Sequence, residues 1–385
     1  MNRHTNGKRG LLSLFGGITK FTLAGISVLL VVFILSIICL GSSFGGFNGV
    51  LSSFSVNIQE RLDIFANHTI SYALDGLIPV EKIYVLNDSE IVAPEPDQAA
   101  FGSTSDPSTL QWLINKAYHR LNGEDLLFQT DTPLFKGSDV KYYLDDTIVV
   151  ITWKQVFHNA VYTFSEVKIN HPSQFRRFLA DGKYGSDKQY LTSQMASSVN
   201  AVVASAGDFY KYRHKGLVVY NGNVERFNGT ALDSCFIDDK GDLIFSKAGK
   251  IKSESELETY VKDNNIRFSL CFGPILIEEG KSKVPGYYQI GEISDNYSRS
   301  ALCQLGELHY LLVTVNDEGG YNRFPSLYTF ADTLIAQGIT HAYTLDGGQT
   351  ATIVMNDQVI NHVSYGAERY ISDIIYFATA MPENE

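Results

Sequence analysis

The segment Leu345-Asp346-Gly347-Gly348-Gln349-Thr350-Ala351-Thr352 places a carboxylate, two glycines and two hydroxyls at the end of an apolar run. Without side chains, the glycines allow a tight turn whose N–H groups can approach an anionic oxygen closely. Thr350 and Thr352 add hydroxyl donors. Asp-Gly-Gly is also ordinary turn chemistry, so the segment needs partners before it means more than a bend. Ala206-Gly207-Asp208-Phe209-Tyr210 is a second strand end with glycine and acid together, and Tyr212-Arg213-His214-Lys215 follows it with cations. Arg299, within Ser298-Arg299-Ser300-Ala301-Leu302, opens an apolar strand. A guanidinium fork grips phosphate through two parallel charge-assisted hydrogen bonds, which lysine cannot copy.

Strands must carry these pieces. Thr147–Trp153 and Val161–Ile169 are β-rich runs, Ala201–Ala206 reads as a buried strand, and Leu308–Val315 as a core strand. Hairpins are expected at Asn221-Gly222, at Asp239-Lys240-Gly241 and at Asn356-Asp357, where residues tolerant of positive φ sit between apolar runs. Short helices are expected over Thr109–Leu121 with Ser108 as cap, after Pro172 and Ser173 through Ala180, from Ser253 to about Asp263, and over Ser326–Gln337, which stops at Gly338. Strands outnumber helices, which predicts an α+β fold built on a mixed, hairpin-rich sheet with short flanking helices. Arg369–Ala378 is expected to close that sheet.

The N-terminus has a different character. Phe21–Leu40 contains no charge and is long enough to cross a bilayer as a helix. Arg3, Lys8, Arg9 and Lys20 precede it and no acid does, so the positive-inside bias predicts a cytoplasmic N-terminus and an extracytoplasmic remainder. The run is too long for a cleaved signal peptide, and Ile37-Ile38-Cys39-Leu40 is a poor cleavage site. The resulting divisions are a basic tail (1–20), a membrane anchor (21–41), a linker or small subdomain (42–138), and a domain over 139–385. The whole chain has 31 basic and 42 acidic residues. Beyond the tail the balance is 27 against 42, a surplus of negative charge that excludes nucleic acid as a partner. Cys235, Cys271 and Cys303 allow at most one disulfide outside the membrane. No zinc spacing or recognisable calcium loop is present, so no cofactor is indicated, although Asp-rich loops could hold a divalent cation.

The chemical pieces occur in one order: Gly207-Asp208-Phe209-Tyr210, the hairpin at Asn221-Gly222, Phe272-Gly273-Pro274, Arg299-Ser300-Ala301, then Leu345-Asp346-Gly347-Gly348. That series resembles the phosphodiester glycosidase family from about Lys141 to Ala380. It is most specific from Arg299 through Tyr310-Leu311-Leu312-Val313 and Leu345–Thr352 to Ile371-Ser372-Asp373. The resemblance implies an α+β fold and hydrolysis of a sugar-1-phosphodiester, releasing the sugar and leaving a phosphomonoester. It implies that Asp208, Asp346 and Arg299 carry catalysis, with Gly207, Gly347, Gly348, Thr350 and Arg213 binding substrate. Either aspartate can be base, nucleophile or electrostatic partner. The implied partner is a phosphorylated glycan or glycolipid of the cell envelope. Three departures stand against full activity: Ala206 replaces the family's asparagine, Gln349 interrupts its third glycine, and Asn316-Asp317-Glu318 replaces Asp-Gly-Arg. They motivate the alternative of a catalytically degenerate module that binds phosphorylated glycans.

Overall fold

Period-two burial builds the central layer. In the strands Arg299–Gly306 and His309–Asn316, Leu302, Tyr310 and Leu312 pack into one apolar cluster, while Ala301, Cys303, Leu311 and Val313 enter another. Both faces of the sheet are thus covered, which is why His309–Asn316 is buried throughout and reads as a continuous apolar run. The computed structural model describes residues 84–85, 92–120, 125–228, 231–288 and 293–382. The anchor expected at 21–41 lies outside them. No helix among the described residues is long and apolar enough to cross a membrane.

The central sheet has nine strands. Their spatial order is Lys281–Ser282, Ile275–Glu278, His341–Leu345, Arg299–Gly306, His309–Asn316, Ala160–Ile169, Ile148–Phe157, Val140–Leu144 and Phe101–Thr104. A five-stranded sheet runs Gln358–Val359, Ile353–Met355, Val203–Ala206, Asp373–Phe377, Phe175–Leu179. One cluster joins the two sheets, with Leu312 and Tyr343 from the larger meeting Val203, Phe175, Ile375 and Phe377 from the smaller. The opposite face of the larger sheet receives the helix Leu327–Ala336 through Leu327, Phe330 and Leu334, and the helix Pro107–Arg120 through Leu110, Leu113 and Ala117. Within the segment assigned to a linker or subdomain, residues 101–120 therefore supply an edge strand and a core-packed helix to this sheet.

Four expectations are corrected. The sheets are not mixed: the strand pairings of the described residues are antiparallel, both in hairpins and between strands distant in sequence. Phe175–Leu179 is a strand rather than a helix; after a 3-10 turn at Pro172–Gln174 it gains ladder bonds from Asp373–Phe377. Asp373–Phe377 in turn is an inner strand, between Val203–Ala206 and Phe175–Leu179, and does not close the sheet. The helix at 107–120 is capped by Asp106, whose Oδ2 accepts the Thr109 N–H at 2.8 Å, not by Ser108. Local chemistry held elsewhere. Asn221, Gly222, Asn356 and Asp357 have positive φ, as does Gly338 after Leu327–Ala336.

Candidate active site

Antiparallel pairing explains why distant segments meet. Ser300 pairs with Leu345, so the start of Arg299–Gly306 lies beside the end of His341–Leu345 and brings Arg299 next to Asp346 and the glycine turn. The Asp346 N–H then donates to the Gly207 carbonyl at 3.3 Å, tying this end of the large sheet to the end of Val203–Ala206 in the smaller one. A cleft of about 490 Å³ opens where they join. Arg213, Arg299, Asp346, Gly347 and Gly348 line it, with Phe209, Phe272, Tyr288 and Arg369.

Asp346 is the acid of this cleft. Its side chain is 13% exposed, and Arg369 Nη2 donates to its Oδ2 at 2.9 Å. Burial pushes its pKa up to about 6, against the opposing pull of Arg369, the Thr350 hydroxyl and Arg213. Arg213 lies 4.0 Å from the centroid of the Phe272 ring and donates from Nη1 to the Phe272 carbonyl at 2.9 Å. Burial lowers its pKa, with Asp208 and Asp346 acting the other way. Arg299 is buried in the wall; Nε holds the Pro325 carbonyl at 3.3 Å and Nη2 the Asp295 carbonyl. Those bonds fix the plane of its guanidinium.

The glycine turn is shaped by contact with the strand beside it. A Cβ at Gly347 would sit 2.5 Å from the Ser298 carbonyl oxygen, and Gly348 adopts φ of +65°. Gly348 N–H donates to that same carbonyl at 2.9 Å, and the Thr350 hydroxyl donates to the Gly347 carbonyl at 2.7 Å. The Gly348 N–H is therefore spent within the protein and is not aimed at an anion. Thr350 is buried beneath the turn. Cationic character in the cleft comes from its arginines.

A family model described as phosphodiester glycosidase matches residues 199–378. The match spans the strands and loops that line the cleft, from Val203–Ala206 to Asp373–Phe377. The family consists of hydrolases acting on phosphodiester glycosides. Among solved structures, the catalytic domain of zebrafish N-acetylglucosamine-1-phosphodiester alpha-N-acetylglucosaminidase, auto-inhibited by its pro-peptide, is similar at 17% identity. The match covers 60% of this chain and 82% of that one, with a TM-score of 0.47. A hypothetical protein from Synechocystis is similar in fold, at 16% identity over 64% of each chain and a TM-score of 0.50. The SPbeta prophage-derived uncharacterized protein YomE of Bacillus subtilis (strain 168) is 21% identical over 200 residues, covering 50% of this chain and 30% of that protein. The chain thus spans about a third of the length of this curated relative.

Other residues expected at the site lie behind the cleft wall. Asp208 is buried and absent from the cleft lining. Its Oδ1 accepts the Phe209 N–H at 2.6 Å, its Oδ2 accepts the Cys271 N–H at 2.5 Å, and Arg177 Nη2 lies 3.7 Å from Oδ2. Gly207 is there for space, since a Cβ would lie 2.5 Å from Asp373 Oδ2. Asp373 receives the Asp208 N–H at 3.1 Å and pairs with Arg177 at 2.8 Å from both Nε and Nη2. Burial works to lower the Arg177 pKa, and the two carboxylates outweigh it and hold it raised. This buried Asp373–Arg177–Asp208 group fixes the loop that delivers Phe209 and Arg213 to the cleft.

Asn316, one of the departures from the family pattern, is also structural. Its Nδ2 donates to Ser298 Oγ at 3.0 Å and its Oδ1 accepts from Asn361 at 2.9 Å, bracing the residue on which the glycine turn rests. Gln349 lines the cleft, whereas Ala206 is a buried methyl. Sequence reading missed Arg369, Arg177 and the structural role of Asp373. Arg369 and Asp346 are 23 residues apart and no local spacing marks such a pair. All three described cysteines are free and buried, and no cluster suited to a metal occurs among the described residues.

Proposed function

We propose that the chain is a membrane-anchored, extracytoplasmic glycosidase that hydrolyses a sugar-1-phosphodiester of a surface polysaccharide or glycolipid. One observation carries this reading: Arg213, Arg299 and Arg369 converge with Asp346 on one cleft in a chain of net charge −11. When the bond between the sugar's anomeric carbon and the phosphate oxygen breaks, negative charge grows on the departing phosphate. Guanidinium groups already held in place stabilise that charge without reorganising. The phosphate is a good leaving group and needs less protonation than an alcohol would.

Asp346 faces the cleft with its ionisation near 6, so both of its protonation states are populated close to neutral pH. As carboxylate it stabilises the oxocarbenium-like centre or takes a proton from the attacking water. Asp208, with its oxygens engaged by backbone N–H groups, is assigned a positioning role. The anchor at 21–41 keeps the cleft on the outer side of the membrane.

A second reading draws on Ala206, where the family's amide is missing: a module that binds phosphorylated glycans without cleaving them. The two separate in one experiment on the full-length chain with hexose and N-acetylhexosamine 1-(methyl phosphate) diesters. Release of reducing sugar, abolished by Asp346→Asn, supports the glycosidase. Calorimetric binding without product supports the binding module. Neither product nor binding defeats both, and equal turnover by the variant removes Asp346 from the mechanism.

A further inference from the structure

The chain contains 22 tyrosines, and nearly all of those described are at least partly buried. Among the described residues, the large exposed aromatic side chains are four tyrosines: Tyr212, Tyr287, Tyr328 and Tyr370. Each is the immediate chain neighbour of a residue of the cleft wall, namely Arg213, Tyr288, Leu327 and Arg369 respectively. Single exposed hydrophobics scattered over a surface need no explanation. Four exposed rings that each stand one residue from the wall of a single cleft do.

Two of the rings are held. Tyr212 stacks on Phe209 with centroids 4.4 Å apart and planes 18° from parallel, and the Arg369 guanidinium lies 6.0 Å over it. The Tyr328 hydroxyl donates to the Pro285 carbonyl at 3.0 Å, joining the start of its helix to the segment that carries Tyr287. Tyr287 itself is 78% exposed and Tyr370 57%. Rings fixed before binding lose little entropy when a ligand packs on them.

We infer that this tyrosine rim is an extended binding platform for a polymeric substrate, accepting sugar units on either side of the linkage cut in the cleft. The inference rests on the glycosidase reading and selects the polysaccharide over the glycolipid. A cleft of about 490 Å³ suits a ligand of one or two sugar units with its phosphate, so a longer chain must run out over the rim. The C–H face of a sugar ring is apolar and packs against an aromatic face, while its hydroxyls stay in water or meet the tyrosine hydroxyl. A protein-docking face would call for an apolar core. The exposed large aliphatic side chains among the described residues are only Val92 and Met381, and neither adjoins the cleft wall.

The test compares two probes on the full-length chain: a single sugar 1-(methyl phosphate) diester and a six-repeat oligomer of the same sugar 1-phosphate. The wild type should show a KM roughly tenfold lower for the oligomer, the size of effect expected from two ring contacts. The double variant Tyr287→Ala/Tyr370→Ala should lose that advantage and keep its kcat/KM on the single-unit probe. An oligomer turned over no better than the single unit overturns the platform and leaves the glycosidase standing. So does a double variant that retains the advantage, or one that loses activity equally on both probes. Failure to turn over either probe defeats the glycosidase reading itself, and the platform with it.

Discussion

Replacing Asp346 by asparagine should stabilise the protein at alkaline pH while it removes turnover. Burial raises the Asp346 pKa from 3.8 to about 6, so between those values the folded chain holds a proton that the unfolded chain has lost. Stability must therefore fall as pH rises through this window, because the native state binds more protons than the unfolded one. At 1.36 kcal/mol per pH unit, the full penalty above pH 6 is about 3 kcal/mol. An amide of the same shape does not ionise and escapes it. Urea titrations at pH 3.5 and pH 8, followed through the fluorescence of Trp112 and Trp153, measure the difference between variant and wild type. The variant should gain about 3 kcal/mol relative to wild type on moving from the acid to the alkaline condition. A gap that is the same at both pH values would refute the argument. It would mean that Arg369, 2.9 Å away, compensates the buried charge in full.

Removing that partner gives the converse test: Arg369→Met deletes the cation that lowers the Asp346 pKa, so the acid limb of the pH–rate profile should move to higher pH than in wild type. Asp373→Ala should destabilise the fold by about 3–5 kcal/mol in denaturant titrations, because Arg177 is left buried beside Asp208 alone. Gly347→Ala drives a Cβ against the Ser298 carbonyl and should cost about 1–3 kcal/mol of stability, together with activity, whereas Gly286→Ala, with open space around it and no positive φ, should leave activity intact.

Much of the local structure was legible because its causes are local. Asn221-Gly222 and Asn356-Asp357 turn hairpins wherever they occur between apolar runs, since few other residues accept positive φ. Ser253 caps its helix by accepting the Glu256 N–H at 3.2 Å, while the Glu256 carboxylate accepts the Lys252 N–H at 2.9 Å in place of the capping box's reciprocal bond. Phe175–Leu179 misled for the opposite reason. Its strand state comes from pairing with Asp373–Phe377, almost two hundred residues away, and no helix-start signal at Pro172 reports on that partner.

The site divides along the same line. Residue types and the motif order of the family resemblance singled out Asp346, Arg299, Arg213 and the two glycines, and the fold brings all five to one cleft. What letters could not reveal was which side of the wall each would occupy. Asp208 and Asp346 look equivalent as residues that end strands. Folding turns one inward, onto backbone N–H groups and Arg177, and leaves the other facing the cleft beside Arg369. Side-chain types are a property of the chain, but burial and partnership depend on which strands pair, and those pairings join residues more than a hundred positions apart.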